Sequence, residues 1–338
     1  MHNERLLLWE KDEYHYNNNF SFIPFITPKL HEDTQNRPAV IVVPGGGYAH
    51  VSPIEAEVIM TKFYEAGFNT FLLSYTVNPY GLYKPVMYQS LRDISKAVIE
   101  VRKNAETFHI IADNVAVCGF SAGGHLCGSL AVHWNKDFLK DINGIKTFSN
   151  RPDAVILSYP VITSGEFAHR GSFHNLLGSD ASPEALEYMS LEKQISSHTP
   201  PVFLWHTAVD DVVPVENSLF FGQALKDKKI PFEMHIFQDG HHGLSTANPN
   251  DDYLVDRWKS PVLEQNEEFL KAEIKRRKIE DPESSLGGIP IADISGFEEF
   301  KAISVRNSHN ISDYPQAAQW VTLTVNWLRF TFKIYSIK

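Results

Sequence analysis

The segment Gly119-Phe120-Ser121-Ala122-Gly123 constrains this chain more than any other, because it sets a serine between two glycines directly after the apolar run Val115-Ala116-Val117-Cys118. A buried strand that turns at once into a helix forces the residue at its apex into a strained backbone conformation, and a Cβ two positions to either side would strike the neighbouring strand and helix. The turn lifts the Ser121 hydroxyl clear of the sheet. It also leaves the amide of Ala122 at a helix N-terminus, where developing negative charge is stabilised. A five-residue pattern becomes informative only if the rest of the chain supplies a matching framework and matching partners.

The framework is there. Ala39–Val43, Thr70–Ser74, Val115–Gly119, Ala154–Ser158, Val202–His206 and Phe232–Phe237 are short runs rich in β-branched and apolar residues, and they read as buried strands. Amphipathic stretches of helical length lie between them, over Val86–Asn104, Ala122–His133, Ala185–Met189 and Val215–Lys228. Another begins at Ser52-Pro53-Ile54-Glu55, which reads as a cap serine, a proline at the first helical position and a glutamate at the third. This alternation predicts an α/β fold with a mainly parallel, doubly wound sheet and helices on both faces. Ligands of such sheets bind at the carboxyl ends of the strands. At 338 residues the chain is long enough to bury one large core, and a single domain over 1–338 is expected.

Three further motifs sit at strand ends. Pro44-Gly45-Gly46-Gly47-Tyr48 follows Ala39–Val43 and leaves backbone amides free to converge on an anion. It lacks the Gly-Lys-Ser/Thr of a phosphate loop and the glycine spacing of a dinucleotide fold, and it fits the second half of an oxyanion hole. Past Val202–His206 lies the acidic pair Asp210-Asp211, ahead of Pro214. An acid that orients a catalytic imidazole belongs on such a loop; Asp210 is the choice and Asp211 the alternative. Past Phe232–Phe237 lies Gly240-His241-His242-Gly243, where His242 is the expected general base. Adjacent histidines diverge and no Glu-x-x-His spacing accompanies them, so no metal and no cofactor are expected. The order Ser121, Asp210, His242 is the one this architecture uses.

Charge and cysteine usage bound the partners. A formal net charge of -10 argues against nucleic acid. Leu6 to Leu8 is too short for a signal-peptide core and no window reaches the length of a membrane span, so no membrane partner and a cytoplasmic location are expected. The two cysteines, Cys118 and Cys127, fall on a strand and the following helix and read as buried thiols. The Asn310-Ile311-Ser312 sequon then carries no meaning.

Together, Gly119-Phe-Ser-Ala-Gly-Gly-His-Leu126, the Pro44–Tyr48 loop, Asp210-Asp-Val-Val-Pro-Val-Glu-Asn-Ser218 and His242-Gly-Leu244 resemble the α/β-hydrolase carboxylesterases, in particular bacterial acetylxylan-esterase and feruloyl-esterase-like enzymes. The likeness covers Pro38 to Leu244 and resumes near Tyr314–Trp327. It implies Ser121 as nucleophile, His242 as base, Asp210 as its partner, and the amides of Ala122 and of Gly46 or Gly47 as oxyanion donors. Two positions depart from the pattern. Pro44 stands where many relatives have histidine, so loop rigidity would come from proline's fixed φ. Thr207 stands where relatives commonly have glycine, which would narrow the approach to Asp210.

The expected activity is removal of short acyl groups, with acetyl groups of xylo-oligosaccharides as the favoured small-molecule substrate. Tyr48, Tyr75, Tyr159, Phe173, His174 and Asn217 are candidate pocket residues, and the polar segment Ser164–Gly178 reads as an active-site loop. An oligopeptidase-like peptidase and a feruloyl or general short-chain esterase are the alternatives within the fold; a large N-terminal propeller or cap, usual for the former, has no room before Pro38. Residues 248–312 interrupt the family pattern. They hold the charged, helix-prone stretch Ser260–Pro282 and the turn-forming Ser284–Gly288, and are expected to form a cap, a homo-oligomer contact or a surface excursion. A final helix over Gln316–Phe330 presents an apolar face suited to packing on the sheet.

Overall fold

The computed structural model describes residues 4–14, 16, 22–78, 84–254, 261–286, 289–307 and 311–334; Ser260, Gly288 and Asn310 lie outside them. One sheet of eight strands carries the fold: β1 (Leu6–Leu7), β2 (Phe25–Lys29), β3 (Arg37–Val43), β4 (Asn69–Ser74), β5 (Ile110–Phe120), β6 (Ala154–Ser158), β7 (Val202–Thr207) and β8 (Phe232–Phe237). Their order is β1-β2-β4-β3-β5-β6-β7-β8. From β4 to β8 every neighbour is parallel, while β1 and β2 add an antiparallel edge. All six runs anticipated from the sequence are strands of this sheet; the antiparallel edge was not anticipated. The two-residue β1 and the Pro28 in β2 explain why, since neither offers a sustained apolar or alternating pattern.

Strands β3, β4, β6 and β7 are buried along their whole length and β5 is buried from Val115 onward, as strands covered on both faces must be. The edge strand β8 is only half-buried. The helices are α1 (Glu57–Glu65), α2 (Gln89–Lys103), α3 (Ala122–His133), α4 (Arg170–Leu177), α5 (Pro183–Tyr188), α6 (Glu216–Asp227), α7 (Pro261–Glu280), α8 (Phe297–Asn307) and α9 (Trp320–Thr331). α1 and α9 share one face, where the Phe63 and Trp320 rings meet edge on at 6.4 Å and Arg329 donates to the Ala66 carbonyl. α2, α3 and α6 cover the other.

Ser52-Pro53-Ile54-Glu55 does not open a helix as expected. Pro53–Glu55 is a single 3-10 turn, the Ser52 side chain makes no cap bond, and α1 starts only at Glu57. Glu55 turns inward instead, because the interior holds two stronger partners for its carboxylate.

Residues 261–307 carry a second small core. Leu270 and Ile274 of α7 pack with Leu286 and Ile289 of the two-stranded hairpin β9 (Ser285–Leu286) and β10 (Ile289–Pro290), with Ile291 and Ile294, and with Phe300 of α8. The stem of this excursion is closed. The Tyr314 amide donates to the Ala247 carbonyl at 3.1 Å and the Ile311 amide to Asp252 at 3.2 Å. Among the described residues no helix is long and apolar enough to cross a membrane.

Candidate active site

At the end of β5 the chain turns directly into α3, and Ser121 at the junction adopts φ 51° and ψ -118°. This left-handed φ is costly for a residue with a side chain, and the packing enforces it. A Cβ at Gly123 would lie 2.2 Å from the Val43 carbonyl oxygen, and one at Gly119 would lie 2.2 Å from the Gly123 carbonyl oxygen. The glycines let β3, β5 and α3 approach closely enough to force the turn.

The three residues singled out from separate strand ends converge. The His242 Nε2 lies 2.8 Å from the Ser121 hydroxyl, and its Nδ1 lies 2.8 Å from Asp210 Oδ2. A carboxylate only accepts, so Nδ1 carries the proton and Nε2 is left to accept from the serine. Asp211, the alternative acid, meets the His242 backbone and not its ring, accepting from the His242 amide at 3.3 Å. His241 diverges, with its Nε2 2.7 Å from the Ser312 hydroxyl.

Asp210 is held from several sides. Its Oδ1 accepts from the amides of Val212 and Val213, and its Oδ2 also receives the buried His206. The His206 Nε2 faces the Val213 carbonyl at 2.9 Å, so it is the protonated nitrogen; Nδ1 then accepts from the Ser218 hydroxyl at 2.7 Å. Burial alone would raise the Asp210 pKa, but hydrogen bonds from His206 and His242 outweigh it and hold the carboxyl well below the usual carboxylate range. The sequence offered a signal for His206 that went unused: an imidazole closing an apolar strand must find a buried partner.

The glycine loop faces this pair. Gly46 has φ 117° and Gly47 φ 64°, and both line the cavity with Ser121 and His242. Among the described residues, nothing accepts a hydrogen bond from the amides of Gly46, Gly47 or Ala122. Gly46 and Gly47 carry theirs on the wall of the cavity that also holds Ser121, and the Ala122 amide follows the serine at the N-terminus of α3. The loop is fixed by more than Pro44: the Tyr75 hydroxyl donates to the Pro44 carbonyl at 2.8 Å, the Gly45 amide to Glu55 at 2.8 Å, and Asn175 to the Gly47 carbonyl at 2.9 Å. Thr207 does not crowd Asp210. Its hydroxyl donates to the Gly240 carbonyl at 2.7 Å and so anchors the loop that carries His242.

The cavity has a volume of about 400 Å³, and the polar segment after β6 contributes His169, Gly171 and Asn175 to its wall. Of the residues proposed from sequence to contact substrate, Tyr48, Tyr159 and Asn217 do not line it. Each is a buried support. The Tyr48 hydroxyl meets the Nδ1 of His125, an imidazole whose pKa burial lowers to about 4 and which is therefore a neutral acceptor at that nitrogen. Asn217 accepts from the amides of Ile162 and Thr163 and donates to the carbonyls of Phe167 and Pro214, clamping the start of the wall segment. Tyr159 sits beneath His242, its ring centre 5.0 Å from the imidazole. Aromatic and amide side chains at strand ends are as well suited to filling such corners as to lining them. Phe173 and His174 line a second hollow of about 260 Å³ across α4. Cys118 and Cys127 are free, buried thiols.

Comparison with known proteins gives the family. Residues 26–225 match the family model BD-FAE. The chain is 47% identical over 242 residues to an endo-1,4-beta-xylanase B of Butyrivibrio fibrisolvens, covering 71% of this chain and 38% of that protein. It is 28% identical over 213 residues to an acetylxylan esterase of Xylanibacter ruminicola, covering 61% and 41%. The chain thus spans well under half the length of these two relatives. Among solved structures, an acetyl ester-xyloside bifunctional hydrolase from Caldicellulosiruptor lactoaceticus superposes with a TM-score of 0.68 at 35% identity, covering 80% of this chain and 96% of that one. With the family match extending from β2 through most of α6, and so across the elbow, the glycine loop and the acid loop, the chain belongs to the BD-FAE family of α/β-hydrolases.

Proposed function

We propose that this chain is a serine carboxylesterase that removes acetyl and other short acyl groups from xylose-containing oligosaccharides. The observation that carries the chemistry is the unbroken relay from Asp210 through His242 to Ser121, with both links at 2.8 Å. The substrate class is supported by the names of the relatives, an acetylxylan esterase and an acetyl ester-xyloside hydrolase, and by a cavity whose wall carries imidazole and amide groups suited to sugar hydroxyls.

In the first half-reaction His242 Nε2 takes the Ser121 proton as Oγ bonds to the ester carbon, and the carbonyl electron pair moves onto its oxygen. That oxyanion faces the amides of Ala122 and of Gly46 or Gly47. The imidazolium returns its proton to the sugar oxygen as the C–O bond breaks, leaving acyl-Ser121. A water, deprotonated by the same imidazole, then releases the acid and restores the serine. Asp210 holds the tautomer and stays ionised throughout.

The test uses acetylated xylo-oligosaccharides, feruloylated ones and aminoacyl amides alongside 4-nitrophenyl acetate and octanoate. Release of acetate from the first, and faster turnover of the short aryl ester, are expected. Ser121→Ala should lower kcat by at least about a thousandfold without changing the melting temperature. Wild-type turnover in that variant would remove the nucleophile assignment, and cleavage of the amides alone would replace an esterase with a peptidase.

A further inference from the structure

One buried acid at the site has no part in that reaction scheme. Glu55 is 3% exposed and lies on the cavity floor with Ser121 and His242. Its Oε2 accepts from the Gly45 amide at 2.8 Å, one residue before the oxyanion glycines, and its Oε1 accepts from the Tyr159 hydroxyl at 2.7 Å. The Tyr159 oxygen in turn accepts from the Ser245 amide at 3.0 Å, three residues beyond His242, while its ring supports the imidazole edge on. The Ser245 hydroxyl closes the circuit by donating to the Ile54 carbonyl. The hydrogens of the Gly45 amide, the Tyr159 hydroxyl and the Ser245 amide all run toward the carboxylate. Both of its oxygens are thus acceptors, which favours the ionised form. Burial pushes the Glu55 pKa above the usual carboxylate value, and the bonds from Tyr159, Gly45 and Ser52 and the nearness of His242 hold that rise back.

We propose that Glu55 is a positioning residue of the esterase site: its carboxylate, acting through Tyr159, locks the oxyanion loop to the histidine loop and faces the imidazolium that forms on His242 as a second negative charge. This rests on the serine-esterase reading above. Two loops at the carboxyl end of the sheet, one after the central β3 and one after the edge strand β8, must hold Ser121, the amide donors and His242 to within a fraction of an ångström, and Glu55 links them through Tyr159. The groups that face His242 are Asp210 and Asp211 from the loop after β7, Glu55 from the turn before α1, His169 from the segment before α4, Tyr159 from the end of β6, and Ser121. Of the carboxylates among them, Glu55 is the one reached through the oxyanion loop.

The experiment measures kcat and KM for 4-nitrophenyl acetate against pH in the wild type, Glu55→Gln, Tyr159→Phe, the double variant and Ser121→Ala. Glu55→Gln keeps the shape and removes the charge. Its kcat should fall about tenfold to a hundredfold at nearly constant KM, and the acid limb of kcat/KM should move down by about half a pH unit, because the imidazolium loses a facing anion. Loosened packing alone lowers the plateau and leaves the limb in place, so an unmoved limb overturns the proposal. The double variant should lose little beyond the worse single one, since both cut the same link; multiplied losses would overturn it too. Should Glu55→Gln fail to fold, Tyr159→Phe carries the test: a several-fold drop in kcat supports the link, and wild-type kcat refutes it. Retained turnover in Ser121→Ala would instead bring down the esterase reading itself, whatever Glu55 does.

Discussion

A methyl group added at Gly123 would lie 2.2 Å from a backbone carbonyl, whereas one added at Gly296, just before α8, would meet nothing within 4 Å. The two glycines belong to regions built on different principles. Around Gly123 the backbone of three elements is in contact, the adjoining stretches of β3 and β5 are buried, and the polar groups are satisfied over long sequence separations, as in Glu55 to Tyr159 or Ser245 to Ile54. Around Gly296 a handful of aliphatic side chains pack under α7, whose charged groups pair locally along the helix: Arg276 with Glu273 and Glu280, and Arg277 with Glu273. Local pairs tolerate local change; a backbone junction does not.

The largest expected effect that would sharpen this contrast lies within the first region. Asp210→Asn should lower kcat by about ten-thousandfold, because an amide at that place stabilises neither the tautomer nor the imidazolium. Asp211→Asn, one residue away, should leave kcat within a small factor. Comparable losses in the two variants would dissolve the distinction drawn between them. Next in size is Gly123→Ala, for which urea titration should give a loss of about 3 kcal/mol or more as the elbow is forced apart.

The pH dependence follows from the direction at Asp210. A carboxyl whose folded-state pKa lies below its unfolded value adds stability above the unfolded pKa and loses it as pH falls through the folded one. Asp210 therefore stays charged through the mildly acidic range. Asp210 should then add no proton to the acid limb of the rate profile. A limb steeper than one proton would show this carboxyl titrating there.

The smallest effects belong to the second region. Replacing residues 255–310 by a short linker should keep acetate-ester turnover within about threefold, because the stem is already closed at Ala247–Tyr314 and loop length adds little cost. Among the described residues of 248–312 none lines the cavity, so acyl-chain preference should persist as well. A large change in either would give the excursion a role at the site. Gly296→Ala should shift stability by no more than about 0.5 kcal/mol. A loss as large as that at Gly123 would erase the comparison.

Much of the candidate active site was legible because its residues are demanded by local rules. Ser121 announces itself through the flanking glycines, the facing loop through a glycine run at a strand end, and Asp210 and His242 through their order and place after β7 and β8. The supports were not legible. Glu55 reads as a helix cap in Ser52-Pro53-Ile54-Glu55, and only the approach of Gly45 and Tyr159 redirects it. Tyr48, Tyr159 and Asn217 were expected in the pocket because they sit at or just after strand ends and loops on the carboxyl side of the sheet, yet such positions have an inner and an outer side, and which one a side chain takes depends on neighbours far away in sequence.

The amino-acid sequence by itself determined the alternation of strands and helices, the elbow, and the three strand ends that supply Ser121, Asp210 and His242. Spacing, glycine placement and apolar runs act over a few residues, so they are written locally. Only the tertiary structure decided which acid meets His242, that His206 shares its carboxylate, that Glu55 joins the two loops, and that 261–307 packs a core of its own. Each of these depends on which groups are brought within hydrogen-bond or van der Waals reach when distant segments fold together, and on the need of every buried polar atom to find a partner there.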